Sequence, residues 1–330
     1  MNTTVSNPLS YLFHVEQLIS RYLLIMIVVI GTFSNLATII IFRQKHLRST
    51  SCSWYFMSMA LCHLLYIDLG CLSRAIAAWA GFHPSLVSSA LCKLWSYLTG
   101  YLLILSRHFL CLIAIDRWMV TSRNIKLRRC SSRKIAQWLI IIGSIFWALF
   151  NIHLLIKFRI EIGDGCSASD DSSYLLFYII LNLCITFVPL TIIIVFSCLL
   201  MVNIQTIGRA QALSQTDTSC SVPQNSIQNS HHRINVQFIR LSLIQIGMYI
   251  ICNLLHVHNV IYAYVSLHTN TSVERKTITI FLNIMGVNLN YLYTSITLFI
   301  FTCASRTFRK ELQLGWQYLS QHFFALFSRM

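Results

Sequence analysis

The 330-residue chain is 56% hydrophobic and only 11% charged, with a mean hydropathy of +0.64 and 4 prolines. Soluble domains carry roughly 25% charged residues, so the composition excludes a soluble enzyme or a nucleic-acid binder in spite of a formal net charge of +15. A helix needs roughly 20 apolar residues to cross a hydrocarbon layer of about 30 Å, and the sequence holds seven such runs, at about 21–43, 53–77, 91–120, 135–157, 174–202, 237–265 and 277–303.

The first run follows twenty mixed residues that include His14 and Glu16. No small-residue cleavage site follows a short apolar core, so this run reads as a retained span and not a signal peptide. It contains Gly31-Thr32-Phe33-Ser34-Asn35. The second contains Ser58-Met59-Ala60-Leu61-Cys62-His63-Leu64 and, a little further on, Asp68. The third begins near Cys92, carries Ser106, Arg107 and His108, and ends on Asp116-Arg117-Trp118 beside a basic loop. An ionised arginine at the depth of Arg107 costs roughly 2.5–3.5 kcal/mol on insertion scales unless it is paired or hydrated. Asp68 is its expected counter-ion, with His63 a turn or so deeper. A purely structural tie between helices would explain Arg107 equally well.

Cys166 falls in the short loop before the fifth span, and Pro189 lies well inside that span, where a proline kinks a helix. The polar stretch Asn203–Val236 is expected to be a mobile loop. The sixth span holds Cys252-Asn253-Leu254-Leu255, with His256 and His258 as packing or hydrogen-bonding residues. From Ser305 onward, Phe308, Leu312, Gly315, Trp316, Leu319 and Phe323 share one helical face, with Arg309, Lys310, Gln313 and Gln317 elsewhere. That pattern predicts an amphipathic helix on the membrane surface. The chain thus divides into a terminal segment 1–20, a seven-span unit 21–303 and a tail 304–330. Most of the twelve cysteines are expected as buried thiols.

Orientation follows from Lys and Arg, which accumulate in cytoplasmic loops. With the N-terminus outside, the cytoplasmic segments hold fifteen of them and the outer segments four. The C-terminus is then inside, and the basic surplus faces anionic lipid. The sequons Asn2-Thr3-Thr4 and Asn270-Thr271-Ser272 fall on the outer side, where glycans are added. So do Glu16, Glu161, Asp164, Asp170, Asp171 and Glu274, which give the outer rim a mildly negative character.

Asp116-Arg117-Trp118, with Cys92 twenty-five residues before the arginine, resembles the rhodopsin-like family of G-protein-coupled receptors. There a D-R-Y motif ends the third helix and a cysteine stands at that spacing. An acid–arginine pair at a membrane edge also serves as a plain interfacial anchor. Gly31–Asn35 looks like the family's G-x-x-x-N, and Pro189 matches its helix 5 proline. The family register puts His63 where an aspartate usually helps hold sodium; Ser106 keeps the family's serine, but imidazole is a poor substitute for a hard oxygen ligand. The resemblance pairs Cys92 with Cys166, two free thiols being the alternative. Helix 6 lacks the C-W-x-P motif. Thr297-Leu298-Phe299-Ile300-Phe301 stands where N-P-x-x-Y is expected, so the hinge and its tyrosine are missing.

What the resemblance implies is an all-α seven-helix receptor of the plasma membrane. It would bind an extracellular ligand and activate a heterotrimeric G protein through Asp116, Arg117 and Trp118. Asn35, His63, Asp68, Ser106 and Arg107 would form the polar core. Thr99 stands where amine receptors carry an aspartate, and Tyr291 lies near the position of the opsin lysine. Elimination leaves a peptide as the favoured ligand, helped by the acidic rim. No enzyme activity, cofactor or metal is expected. The competing classes are a transporter, which should show paired repeats and broken helices, and a seven-helix zinc hydrolase built from His63, Asp68, His256 and His258, without any H-x-x-x-H pair to support it.

Overall fold

The computed structural model describes residues 8–44, 47–161, 165–169, 171–216, 226–266 and 273–304, with 308–309 and 312–313. These fold into α1 (Pro8–Phe42), α2 (Ser51–Ala80), α3 (Ser89–Thr121), α4 (Arg133–Lys157), α5 (Ser172–Thr216), α6 (Ser226–Ser266) and α7 (Val273–Ala304). All seven predicted runs fall on helices. Five helices are each apolar and long enough to cross a bilayer; α6 contributes the apolar stretch Ile239–Leu255, and α7 qualifies as a bent pair, Ile278–Ser295 and Thr297–Cys303. A two-stranded antiparallel ribbon, β1 (Phe158–Glu161) and β2 (Gly165–Ala168), connects α4 to α5.

Polar caps set the boundaries. Thr50, Ser88 and Ser132 each accept a backbone N–H from the first turn of α2, α3 and α4, which satisfies donors that a helix start leaves open. Gly81, at φ +74°, closes α2 in the left-handed conformation that only glycine adopts without strain. Inside α2 a π-helical turn, Ile67–Cys71, carries Asp68; such turns insert one extra residue and rotate the remainder of the helix. One expectation fails: α5 runs on to Thr216 and α6 starts at Ser226, well inside the stretch 203–236 read as a loop. Its polar composition argues against a core but not against a helix, because elongation from an already formed helix avoids the costly nucleation step.

The core is tightest where α1, α2 and α7 meet. Phe42 stacks on Phe56 at 5.5 Å, Phe301 sits edge-on to Phe56 at 5.0 Å, and Phe308, beyond the end of α7, packs on Phe301 at 5.4 Å. Each such pair contributes roughly 0.5–1.5 kcal/mol beyond its burial. In the tail, Phe308 is buried and Leu312 half-buried while Arg309 and Gln313 are exposed, the alternation expected at those four positions. Arg309 Nη1 donates to the Thr302 carbonyl at 3.0 Å and so covers an open acceptor at the end of α7. The remainder of the expected surface helix lies outside the described residues, as do Asn2 and Asn270. Large apolar side chains such as Trp138, Ile142, Leu149, Val188 and Val202 stand exposed on α4 and α5, the surface that a lipid solvent would cover.

Candidate functional site

Asp116 and Arg117 lie at the end of α3 that faces the basic loop, each 1% exposed. Asp116 Oδ2 accepts from Arg117 Nε at 3.1 Å and also from Nη2. Asp116 Oδ1 accepts from Ser51 Oγ at 2.6 Å and from Ser131 Oγ at 2.5 Å. All the acceptor capacity of the carboxylate is thus engaged by α2, α3 and the loop before α4, so the pair is desolvated and compensated at once. Around it, Trp118 packs edge-on to Phe196 of α5 at 5.2 Å, and Thr121 Oγ1 accepts from Asn203 at 3.2 Å. The serines that hold Asp116 were not legible as such; Ser51 offers no pattern beyond its place at a helix start.

Asn35 and Ser34 act on α7. A regular helix would bond Leu298 N–H to the Thr294 carbonyl. Here α7 bends by 50° between Ser295 and Thr297, Leu298 N–H donates to Ser34 Oγ at 2.9 Å, and Asn35 Nδ2 donates to the Thr294 carbonyl at 3.0 Å. The hinge expected to be missing is therefore present, at the position of the absent proline, and α1 supplies the two partners that the broken turn releases. Close approach makes this possible: a Cβ on Gly31 would stand 3.0 Å from the Ser295 Cβ. His63, 1% exposed, lies nearby with Nδ1 3.5 Å from Thr297 Oγ1 and its ring edge-on to Tyr293. Ser106 donates to the Leu103 carbonyl of its own helix.

The Asp68–Arg107 ion pair does not form. Asp68 accepts from Thr32 of α1 at 2.9 Å, whereas Arg107 Nη2 donates to Asn253 Oδ1 of α6 at 3.3 Å. Depth accounts for the separation. Trp95 Nε1 reaches the Leu69 carbonyl, and a Cβ on Gly70 would lie 3.4 Å from the Thr99 methyl, so Asp68 is level with residues near Thr99. Arg107 is eight residues, about 12 Å, further along α3. Asn253, missed as a partner, carried a signal: a polar side chain in mid-span is rarely without a role. Pro189 lies inside α5, and Cys111 Sγ approaches its carbonyl at 3.7 Å.

At the opposite end of α3, Cys92 and Cys166 form a disulfide with Cα atoms 5.6 Å apart, tying β2 to the helix. Of the described free cysteines, Cys52, Cys62, Cys71, Cys111 and Cys252 are buried, but Cys130, Cys184, Cys198 and Cys303 are exposed; Cys130 lies in the basic loop between α3 and α4, and the thiols on the outer faces of the spans need no burial within the protein. The same end holds a cavity of about 340 Å³ between α1, α2 and α7, lined in part by Glu16, Arg21, Arg74, His83 and Asn288. Arg74 Nε is buried there without a hydrogen-bond acceptor. His83 Nδ1 accepts from Ser85 N–H at 3.2 Å, and its ring stands edge-on to Trp95; burial first, and the Arg74 charge second, lower its pKa below 6.5. Of the six acids assigned to this rim, Glu16 lines the cavity. Asp171 accepts from Lys157 at 3.3 Å, a bond that leads the causes lowering its carboxyl pKa. No group of three or more potential metal-ligating side chains is gathered among the described residues.

Apolar helices spanning a bilayer, with a charged cavity at one end and a buried acid–arginine pair at the other, define a multi-pass membrane protein. Residues 34–295 match the model of the family described as 7 transmembrane receptor (rhodopsin family), and the chain belongs to that family. A comparison with curated proteins finds no match.

Proposed function

We propose that the chain is a plasma-membrane receptor, N-terminus outside, that binds an extracellular peptide and activates a heterotrimeric G protein. The observation that carries this reading is the Asp116–Arg117 pair, buried and held by three segments at the end of the bundle where the basic residues concentrate. A ligand in the cavity near the disulfide would favour a state in which the Asp116 ends of α5 and α6 move away from α3 and release Arg117. The cavity presents both signs of charge, through Glu16 and through Arg21 and Arg74, which suits a peptide with its own mixed charges. Orientation rests on the excess of Lys and Arg at the Asp116 end.

The test is a peptide-library screen on cells expressing the full chain, read out with several G-protein sensors beside surface labelling. A hit that Arg117→Ala silences at equal surface level is expected. A surface-expressed chain that never engages any sensor would defeat the coupling reading. Glycans on Asn2 and Asn270, with 217–225 shielded from external protease in intact cells, would support the orientation; cleavage there from outside would reverse it.

A further inference from the structure

Ser131 and Ser51 both donate to Oδ1 of Asp116, at 2.5 and 2.6 Å, but they differ in access. Ser51 is 4% exposed at the start of α2, whereas Ser131 is half-buried in the loop between α3 and α4. Just before Ser131 runs the short helix Ile125–Cys130, which has no buried residue. Such a piece is far below the length at which a helix holds itself, and without packing it opens locally at little cost. The loop reads Arg128-Arg129-Cys130-Ser131-Ser132-Arg133-Lys134, with all four cations exposed. A serine on an easily extended segment, with arginines two and three residues before it, suits a protein kinase whose substrate cleft is acidic.

We infer that Ser131 is a phosphorylation site and that its phosphate unfastens the loop from the Asp116–Arg117 pair. The γ-phosphoryl group of ATP passes to Ser131 Oγ, the hydroxyl proton goes to the kinase's base, and ADP departs. The product has lost the donor that Asp116 used and carries a charge of about −1.5 to −2. In the docked position that charge stands against a carboxylate that is 1% exposed, where like charges repel with little screening. Undocked, it lies in water among Arg128, Arg129, Arg133 and Lys134. Both differences favour release of the loop. Asp116 keeps Ser51 and Arg117, so the pair loses one of the three segments that hold it. Ser132 has a different role: its Oγ accepts from Ile135 N–H at 3.4 Å as the N-cap of α4. A phosphate there would favour the helix start and leave the bonds of Asp116 intact. The inference rests on the orientation proposed above, which puts this loop on the side where ATP is found.

The test uses the purified full chain in lipid nanodiscs with Mg-ATP and the catalytic subunit of cyclic-AMP-dependent protein kinase, which reads arginines two and three residues before its serine. Nanodiscs expose both faces, so a failure there belongs to Ser131 and not to the orientation, which external protease on intact cells tests separately. Peptide mass spectrometry should place one phosphate on Ser131 and none in Ser131→Ala. With Arg128→Gln and Arg129→Gln combined, the rate should fall about tenfold or more, as expected for lost charge-assisted contacts to the kinase. Amide exchange across residues 125–131 should run about tenfold or more faster in the phosphorylated chain, the shift that follows loss of a bond to a charged group. Ser131→Ala, which loses the bond without gaining the charge, should fall between the two. No phosphate on the full chain, or phosphate on Ser132 alone, would overturn the site. Unchanged exchange at full phosphorylation of Ser131 would overturn the release.

Discussion

Two arginines lie ten residues apart on α3, both buried, and their surroundings differ in kind. Arg117 faces a carboxylate that is itself held by Ser51 and Ser131, so the charge is compensated within the protein. Arg107 has one amide partner, and its buried Nε meets no hydrogen-bond acceptor. Burial alone therefore says little about a charge in a membrane protein; what matters is whether the bundle completes its coordination or leaves it to something else.

Removing one member of each set tests that contrast most strongly. Asp116→Ala leaves Arg117 buried without its anion and should destabilise by about 3–5 kcal/mol, measured as thermal unfolding in detergent. Arg107→Gln deletes a charge that the protein does not compensate and should cost far less, or stabilise; equal losses would erase the distinction. Next in size is the disulfide: Cys92→Ala or Cys166→Ala should lower stability by about 2–4 kcal/mol, and the double variant should be no worse than either single in the same melt. At the α7 bend, Ser34→Ala strands the Leu298 N–H at an expected cost of about 1–3 kcal/mol. Leu298→Pro removes that donor, so the double variant should lose less than the two singles combined.

Two smaller effects sharpen the comparison. Since Asp68 and Arg107 are at different depths, Asp68→Asn and Arg107→Gln should add to within about 0.5 kcal/mol in a double-mutant cycle; strong rescue of one by the other would restore the ion pair. The pKa of His83 is lower in the folded chain than in the unfolded one, so its contribution is present above pH 6.5 and lost as pH falls through the folded value. Melting curves should therefore show an acid-side decline that His83→Asn flattens.

The seven helices were legible because crossing a bilayer constrains composition locally, and hydropathy reads composition; among the described residues five of them, or six with the bent α7, are long and apolar enough to cross. The Cys92–Cys166 bond was legible only through the family resemblance, since the residues by themselves left two free thiols open. Asp116–Arg117 was legible as adjacent opposite charges, although its serines were not, since Ser131 is fifteen residues away in sequence. What escaped depends on which helices face each other. Leu298 at a proline position looks like a lost hinge because the relevant group is its backbone N–H, and a side-chain alphabet does not report where that bond goes. Asp68 and Arg107 looked complementary as opposite charges in neighbouring spans, yet their levels along α2 and α3 follow from packing at Gly70, Thr99 and Trp95. The polar stretch after Asn203 read as a loop since composition marks where a membrane ends, not where a helix does.

The α7 bend also sets an order of assembly. A proline bend is written into a helix before it meets anything, whereas here the two groups that hold the bend, Ser34 and Asn35, are on another helix and some 260 residues earlier in the chain. By itself the last helix recovers its Leu298–Thr294 bond and stays straight, and only contact with the first helix offers two bonds for one. The seventh helix is thus shaped by the first. The difference in Leu298 amide protection from solvent exchange between the unsubstituted chain and Ser34→Ala would report when the first helix meets the seventh.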